Sequence, residues 1–218
     1  MNTRDKIIDL AVKHFNRKGY SAVSLFQIAN EMGISRGNLT YHFKDKDALL
    51  ESIANEMWQK IDSERVKSRQ FPSFENLRNE VQLLYKYQKK YAFIFLDTHV
   101  LNHAVIKKQF RQLAKRTIED NKATIAFSIK IGNMKPETIP GTYANMAFSV
   151  WMLAFYWLSQ QIVRGEKSGQ DAEKIIWSIL LPSFTEKGIQ SLKDFFGEAY
   201  FDQLGASFQE DIDEIISF

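Results

Sequence analysis

Residues 24–46 read SLFQIANEMGISRGNLTYHFKDK, and this stretch decides the fold. Leu25, Ile28, Ala29 and Met32 recur at i, i+3, i+4 and i+7, the spacing of one buried helix face. Ser24 followed by Gln27 has the form of a capping box at the start of that helix. Gly33 breaks it and tolerates the positive φ of a sharp turn. Ile34 then plugs the space between two helices, and Ser35 caps a second helix over about Arg36 to Phe43. In that second helix Leu39 and Phe43 share the inward face, four residues apart. Arg36, Gly37, Asn38, Thr40, Tyr41 and His42 are left outside.

Two short helices joined by a tight glycine-containing turn are the physical form of a helix-turn-helix. Its second helix meets base edges in the major groove with its N-terminal residues. Arg36 suits guanine O6 and N7, and Asn38 suits adenine. Gly37 lets backbone approach a duplex, and Thr40 can meet a thymine methyl. Lys44 and Lys46 suit phosphates, as do Ser24 and Ser35 at their helix N-termini.

Working outward, Ile8, Ala11, Val12 and Phe15 repeat the same helical spacing in a first helix that ends at Gly19. Asp45 caps a fourth helix running to about Lys67. Further helices are expected from Ser73 to about Ile94, over 102–131, over 143–164 and over 170–187. Gln70 to Ser73 and Gly132 to Thr142 read as connections. Pro182 is expected to kink the helix it falls in, and Gly165, Gly188, Gly197 and Gly205 to end or divide helices. No stretch alternates in the manner of a strand, so the fold class is all-α.

In this setting residues 3–50 resemble the TetR (tetracycline-repressor) family of transcriptional regulators. The resemblance is carried by Ile7-Ile8-Asp9-Leu10-Ala11 through Phe15, by Lys18-Gly19-Tyr20 and by Ile28-Ala29. It continues through Gly33-Ile34-Ser35, Gly37-Asn38-Leu39, Tyr41-His42-Phe43, Lys46 and Leu49-Leu50. It implies a three-helix DNA-binding domain over residues 1–48 and a larger helical ligand-binding and dimerisation domain over 49–218. It further implies Tyr41, His42 and Lys46 as DNA contacts, and repression as the mode of control. Where the family usually has an aromatic, this chain has Thr40.

The remainder is read from its apolar residues. The helix near 143–164 is apolar all round, which requires burial all round. One solution is a core face and a subunit face, with Met146, Val150 and Trp157 joined by Ile176, Leu180 and Phe184 in an isologous four-helix interface. The other is a monomer core. A homodimer also suits a palindromic operator, because two half-sites need two recognition helices. Tyr91, Phe95, Phe127, Trp151 and Phe155, with His99 as a polar member, are candidates to line a pocket for an apolar or aromatic effector. Ordinary packing is the alternative for each.

Other chemistries find little in the chain. With no cysteine, disulfides, thiolate catalysis and cysteine-based zinc sites are excluded. His99 and His103, four apart, lack a convincing third ligand, so no metal or cofactor is expected. There is no phosphate-binding glycine loop and no nucleophile elbow, and enzyme activity is not expected. The uncharged stretch 139–163 has a strongly apolar part of only thirteen residues, 146–158, short of the ~20 that cross a bilayer. A cytoplasmic protein is therefore expected. The net charge of +3 is uneven: residues 198–218 carry six acids and no base, leaving a basic body that suits a polyanion. Besides effector control, a regulator governed by a protein partner fits the same sequence.

Overall fold

The computed structural model describes residues 2–68, 73–164 and 172–204. The expected turn at 70–72, the helix end at Gly165 and the tail beyond Leu204 with Gly205 lie outside the described residues.

Among the described residues every regular element is helical, as expected. The first four helices are α1 (Thr3–Lys18), α2 (Leu25–Glu31), α3 (Arg36–His42) and α4 (Lys46–Ser68). Next come α5 (Phe74–Lys90), α6 (Ala92–Leu96), α7 (Thr98–Asn102) and α8 (Ala104–Lys130). The chain continues with α9 (Thr142–Arg164) and α10 (Ala172–Leu180), then a 3-10 turn at Leu181–Ser183, then α11 (Glu186–Phe196) and α12 (Glu198–Leu204).

Three expectations change. The helix from Ser73 ends at Lys90, where Tyr91 leaves the helical region and two five-residue helices follow. Pro182 does not kink a helix; it sits in the 3-10 turn that separates α10 from α11. Gly188 lies inside α11 rather than at a boundary. The α11 helix packs so closely on the loop after α8 that a Cβ on Gly188 would fall 2.0 Å from the Asn133 carbonyl oxygen.

The chain divides into two compact units. The first holds residues 1–67 and 86–112, so it reaches well beyond the first 48 residues. Local hydrogen bonds explain this. The Asn16 amide donates to the Lys90 carbonyl at 2.9 Å, and its oxygen accepts from the Phe93 N–H at 3.1 Å. One side chain thus satisfies both the end of α5 and the start of α6. Phe15 packs on Phe93 with ring centroids 5.1 Å apart, and the Tyr20 N–H donates to Asp97. The fully buried centre of this unit includes Ile7, Ile28, Leu39, Leu49, Ile53 and Ile94.

The second unit holds residues 68–85 and 113–218. Its core gathers Val150, Trp157, Ile176, Trp177, Leu180 and Phe184, with Phe74 and Leu77 packed against it. By length and composition Thr142–Val163 is long and apolar enough to pass for a membrane-spanning helix. Ala147, Val150, Phe155, Trp157 and Leu158 on this helix are nevertheless buried within the unit. Another side of the same helix stays exposed.

Candidate nucleic-acid interface and ligand cavity

The helix-turn-helix is built by local chemistry. The capping box is complete: the Gln27 N–H donates to the Ser24 hydroxyl, and the Ser24 N–H donates to Gln27 Oε1 at 2.8 Å. Gly33 has φ +65°, the left-handed conformation that glycine tolerates. The Ser35 hydroxyl accepts from the Asn38 N–H at 3.1 Å and starts α3. Ile28, Ala29, Leu39 and Phe43 are buried, and these few contacts fix which way α3 faces.

The opposite face is open. Ser24, Gln27, Ser35, Arg36, Gly37, Asn38 and Tyr41 are all exposed, and Tyr41 reaches 86%. His42 is half-buried with its ring edge-on to Tyr41 at 5.3 Å. Thr40 is half-buried, and its hydroxyl donates back to the Arg36 and Gly37 carbonyls. That leaves chiefly its methyl to meet a partner.

Lys46, expected at a phosphate, is engaged within the chain. Its ammonium donates to the carbonyls of Tyr20 and Val23, each at 3.0 Å, and lies over the Tyr20 ring at 4.3 Å. Burial lowers its pKa, against the opposing pull of Asp47 and Asp97. Here Lys46 ties the loop before α2 to the start of α4. Lys44 beside α3 has an 83% exposed side chain, with its ammonium 3.9 Å from an Asp45 carboxylate oxygen. His14 is buried, with Nε2 2.7 Å from a Glu31 carboxylate oxygen, and so ties α1 to α2.

The second site is a cavity of about 480 Å³ inside the second unit. Phe74, Phe127, Met134, Trp177, Phe184 and Phe195 supply its apolar wall. Of the expected pocket residues only Phe127 lines it. Tyr91 and Phe95 are buried in the first unit, where Tyr91 stacks on Tyr87 and Phe95 packs edge-on against Phe110. His99 is exposed and stacks on Tyr20. The four-residue spacing of His99 and His103 loses its meaning, because α7 ends at Asn102 and His103 is extended. Trp151 and Phe155 stack on each other along α9, and neither lines the cavity.

The expected subunit-interface residues are also reassigned. Val150, Trp157, Ile176, Leu180 and Phe184 are buried within a single chain, and Met146 is half-buried against the same core. Three of them, Val150, Leu180 and Phe184, line the cavity instead. The exposed apolar side chains of α9 are Phe148, Met152, Tyr156, Ile162 and Val163.

Sequence reasoning missed Phe74, Glu80, Asp120, Asn133 and Trp177 as cavity residues. Their helices and loop come together only through tertiary packing, and no local spacing marks them.

A helix-turn-helix with an open polar face, followed by a larger helical body, defines a class of DNA-binding folds. Comparison with known proteins agrees. Residues 7–53 match the model of bacterial regulatory proteins of the tetR family, and residues 50–192 match the model of a TetR-type bacterial transcriptional repressor. The chain belongs to the TetR family. It is 31% identical to the transcriptional regulator QacR of Staphylococcus aureus over 128 residues, which is 55% of this chain and 66% of QacR. The match to another curated regulator spans 28% of that relative's length. A TetR-family regulator from Marinobacter aquaeolei VT8 superimposes with TM-score 0.74 at 21% identity, over 88% of this chain and 96% of that one. A transcriptional regulator from Aquifex aeolicus VF5 gives TM-score 0.60 at 20% identity, over 83% and 99%.

Proposed function

We propose that this protein is a repressor that reads a palindromic operator as a homodimer and releases it when a small molecule occupies the cavity of the second unit. The observation that carries DNA binding is the open N-terminal half of α3, with Arg36, Gly37 and Asn38 exposed above the buried anchors Leu39 and Phe43. Arg36 and Asn38 read base edges, Tyr41 and Lys44 address the backbone, and the exposed caps Ser24 and Ser35 offer helix N-termini to phosphates. Gln27 stands beside Ser24 on the same exposed side.

Dimerisation is supported by the outward side of α9. Phe148, Met152, Tyr156, Ile162 and Val163 expose more large apolar surface on one helix than a solitary soluble protein ordinarily leaves in water. A second copy of the same helix covers it in an isologous contact.

The cavity supports a small-molecule effector over control by a protein partner, since a filled core would have favoured the latter. Ligand binding that favours one arrangement of the dimer lowers operator affinity by the coupling free energy, typically ~1–3 kcal/mol. A cytoplasmic location is the one that suits action on duplex DNA.

Selection of bound sequences from random duplexes tests the reading. A palindromic motif with half-sites about one helical turn apart is the expected result. Enrichment of no motif, or binding indifferent to salt, would contradict it.

A further inference from the structure

The polar groups of the cavity wall are largely engaged within the chain. The Asn121 amide donates to the Ala147 carbonyl at 3.1 Å, and the Thr124 hydroxyl donates to the Asp120 carbonyl at 2.9 Å. The Ser73 hydroxyl accepts from the Asn76 N–H at 3.1 Å. Glu80 and Asp120, the charged side chains on the wall, each already have an interaction partner. Among the described residues no lysine, arginine or histidine lines the cavity. Asn133 differs: it lines the cavity, is only 9% exposed, and its side-chain oxygen has no hydrogen-bond partner. Buried polar atoms are normally paired, and one left alone is costly. The backbone beneath that oxygen is held in place. The Asn133 N–H donates to the Ser128 carbonyl at 2.9 Å, and the Asn133 carbonyl accepts from the Thr185 N–H at 3.0 Å.

We infer that the cavity takes an uncharged aromatic molecule with a hydrogen-bond donor, a hydroxyl or an N–H, which pairs with the Asn133 side-chain oxygen. Its flat body packs among Phe74, Trp177 and Phe184, where ring contacts add to the burial of apolar surface. A net charge on the molecule counts against it. An anion loses its hydration and meets no cation on the described wall. A cation loses its hydration too, and the two carboxylates are already engaged. A neutral donor costs far less to desolvate, and it relieves the unpaired oxygen. The inference deepens the effector reading above and rests on the cavity being the ligand site.

The test is calorimetric titration of the full-length protein with four probes of nearly equal shape: 2-naphthylmethanol, 2-acetylnaphthalene, 2-naphthylmethylammonium and 2-naphthoate. The alcohol carries a donor, and the ketone carries only an acceptor. The alcohol is expected to bind about three- to tenfold more tightly than the ketone, the scale of one neutral hydrogen bond, and both charged probes more weakly than the alcohol. Asn133→Leu and Asn133→Ala, each with a cooperative thermal melt, should remove the alcohol's advantage and leave ketone binding unchanged. The ranking of the probes on the wild-type protein is read independently of either variant. A charged probe or a ketone that matches the alcohol, an advantage that survives both variants, or binding of none of the four would overturn the assignment. Operator release is measured separately. Alcohol binding that leaves the operator occupied would preserve the ligand class of the cavity and remove the effector reading.

Discussion

The α3 and α9 helices solve opposite problems. The α3 helix has seven residues, and only Leu39 on it is buried. Its neighbour Phe43 and the inward side of α2 complete the anchor, and Arg36, Gly37, Asn38 and Tyr41 stay exposed. The α9 helix has 23 residues and large apolar side chains on every side. One side packs into the core of its unit and another is left in water. A binding face made of polar residues is therefore defined by a few buried contacts beneath it. A binding face made of apolar residues is defined only by which of several similar sides the fold leaves uncovered.

The largest expected effect comes from removing the α3 anchor. Leu39→Ala should cost about 2–5 kcal/mol of stability, because the side chain is fully buried and its loss leaves a cavity. Chemical denaturation followed by circular dichroism measures it. A cost below ~1 kcal/mol would mean that α3 is not held as described.

Next is the junction that holds Asn133. Gly188→Ala puts a methyl group 2.0 Å from a backbone oxygen, and backbone cannot step aside cheaply. A loss of about 1–3 kcal/mol is expected, as for other overpacked sites. Its partner experiment is Ser24→Ala, which removes half of the capping box and should cost about 1 kcal/mol. Thermal melts rank the two, and Gly188→Ala should also weaken cavity binding while Ser24→Ala should not.

A pH effect sharpens the account of the second unit. The Tyr200 hydroxyl is pushed up to about 12 by burial, and by donating to the Glu173 carboxylate among Arg78 and Trp177. A raised phenol favours the protonated folded state. The stability it adds is fully present below the ordinary tyrosine value near 10 and is lost as pH rises from there through about 12. Tyr200→Phe should flatten that part of the stability profile.

The smallest effect on folding, with the greatest contrast, belongs to the outer side of α9. Met152→Lys and Tyr156→Lys replace exposed side chains and should change single-chain stability by no more than about 0.5 kcal/mol. Sedimentation should show loss of the dimer. Wild-type protein that sediments as a monomer would remove the interface altogether.

The same contrast explains what the sequence could convey. The α2 and α3 helices were legible almost to the residue, because Ser24, Gln27, Gly33 and Ser35 act within three or four positions of themselves. The all-helical class followed from the periodicity that α1 and α2 share. The inward side of α9 was not legible, since Val150 and Met152 are equally apolar and only packing separates them. The cavity was hidden for a related reason: its walls come from α5, α8, α9, α10, α11 and the loop after α8, far apart in the chain. The intrachain bonds of Lys46 were hidden too, because its ammonium reaches carbonyls 23 and 26 residues away, which no local pattern signals.

The central claim is that the polar face of α3 reads bases, and Arg36→Ala tests it most directly. Binding to the selected operator and to single-base variants of it should be measured at fixed salt. The account expects a loss of about 1–3 kcal/mol on the operator, with base preference relaxed at one position in each half-site and kept elsewhere. Unchanged affinity and unchanged preference at every position would contradict it.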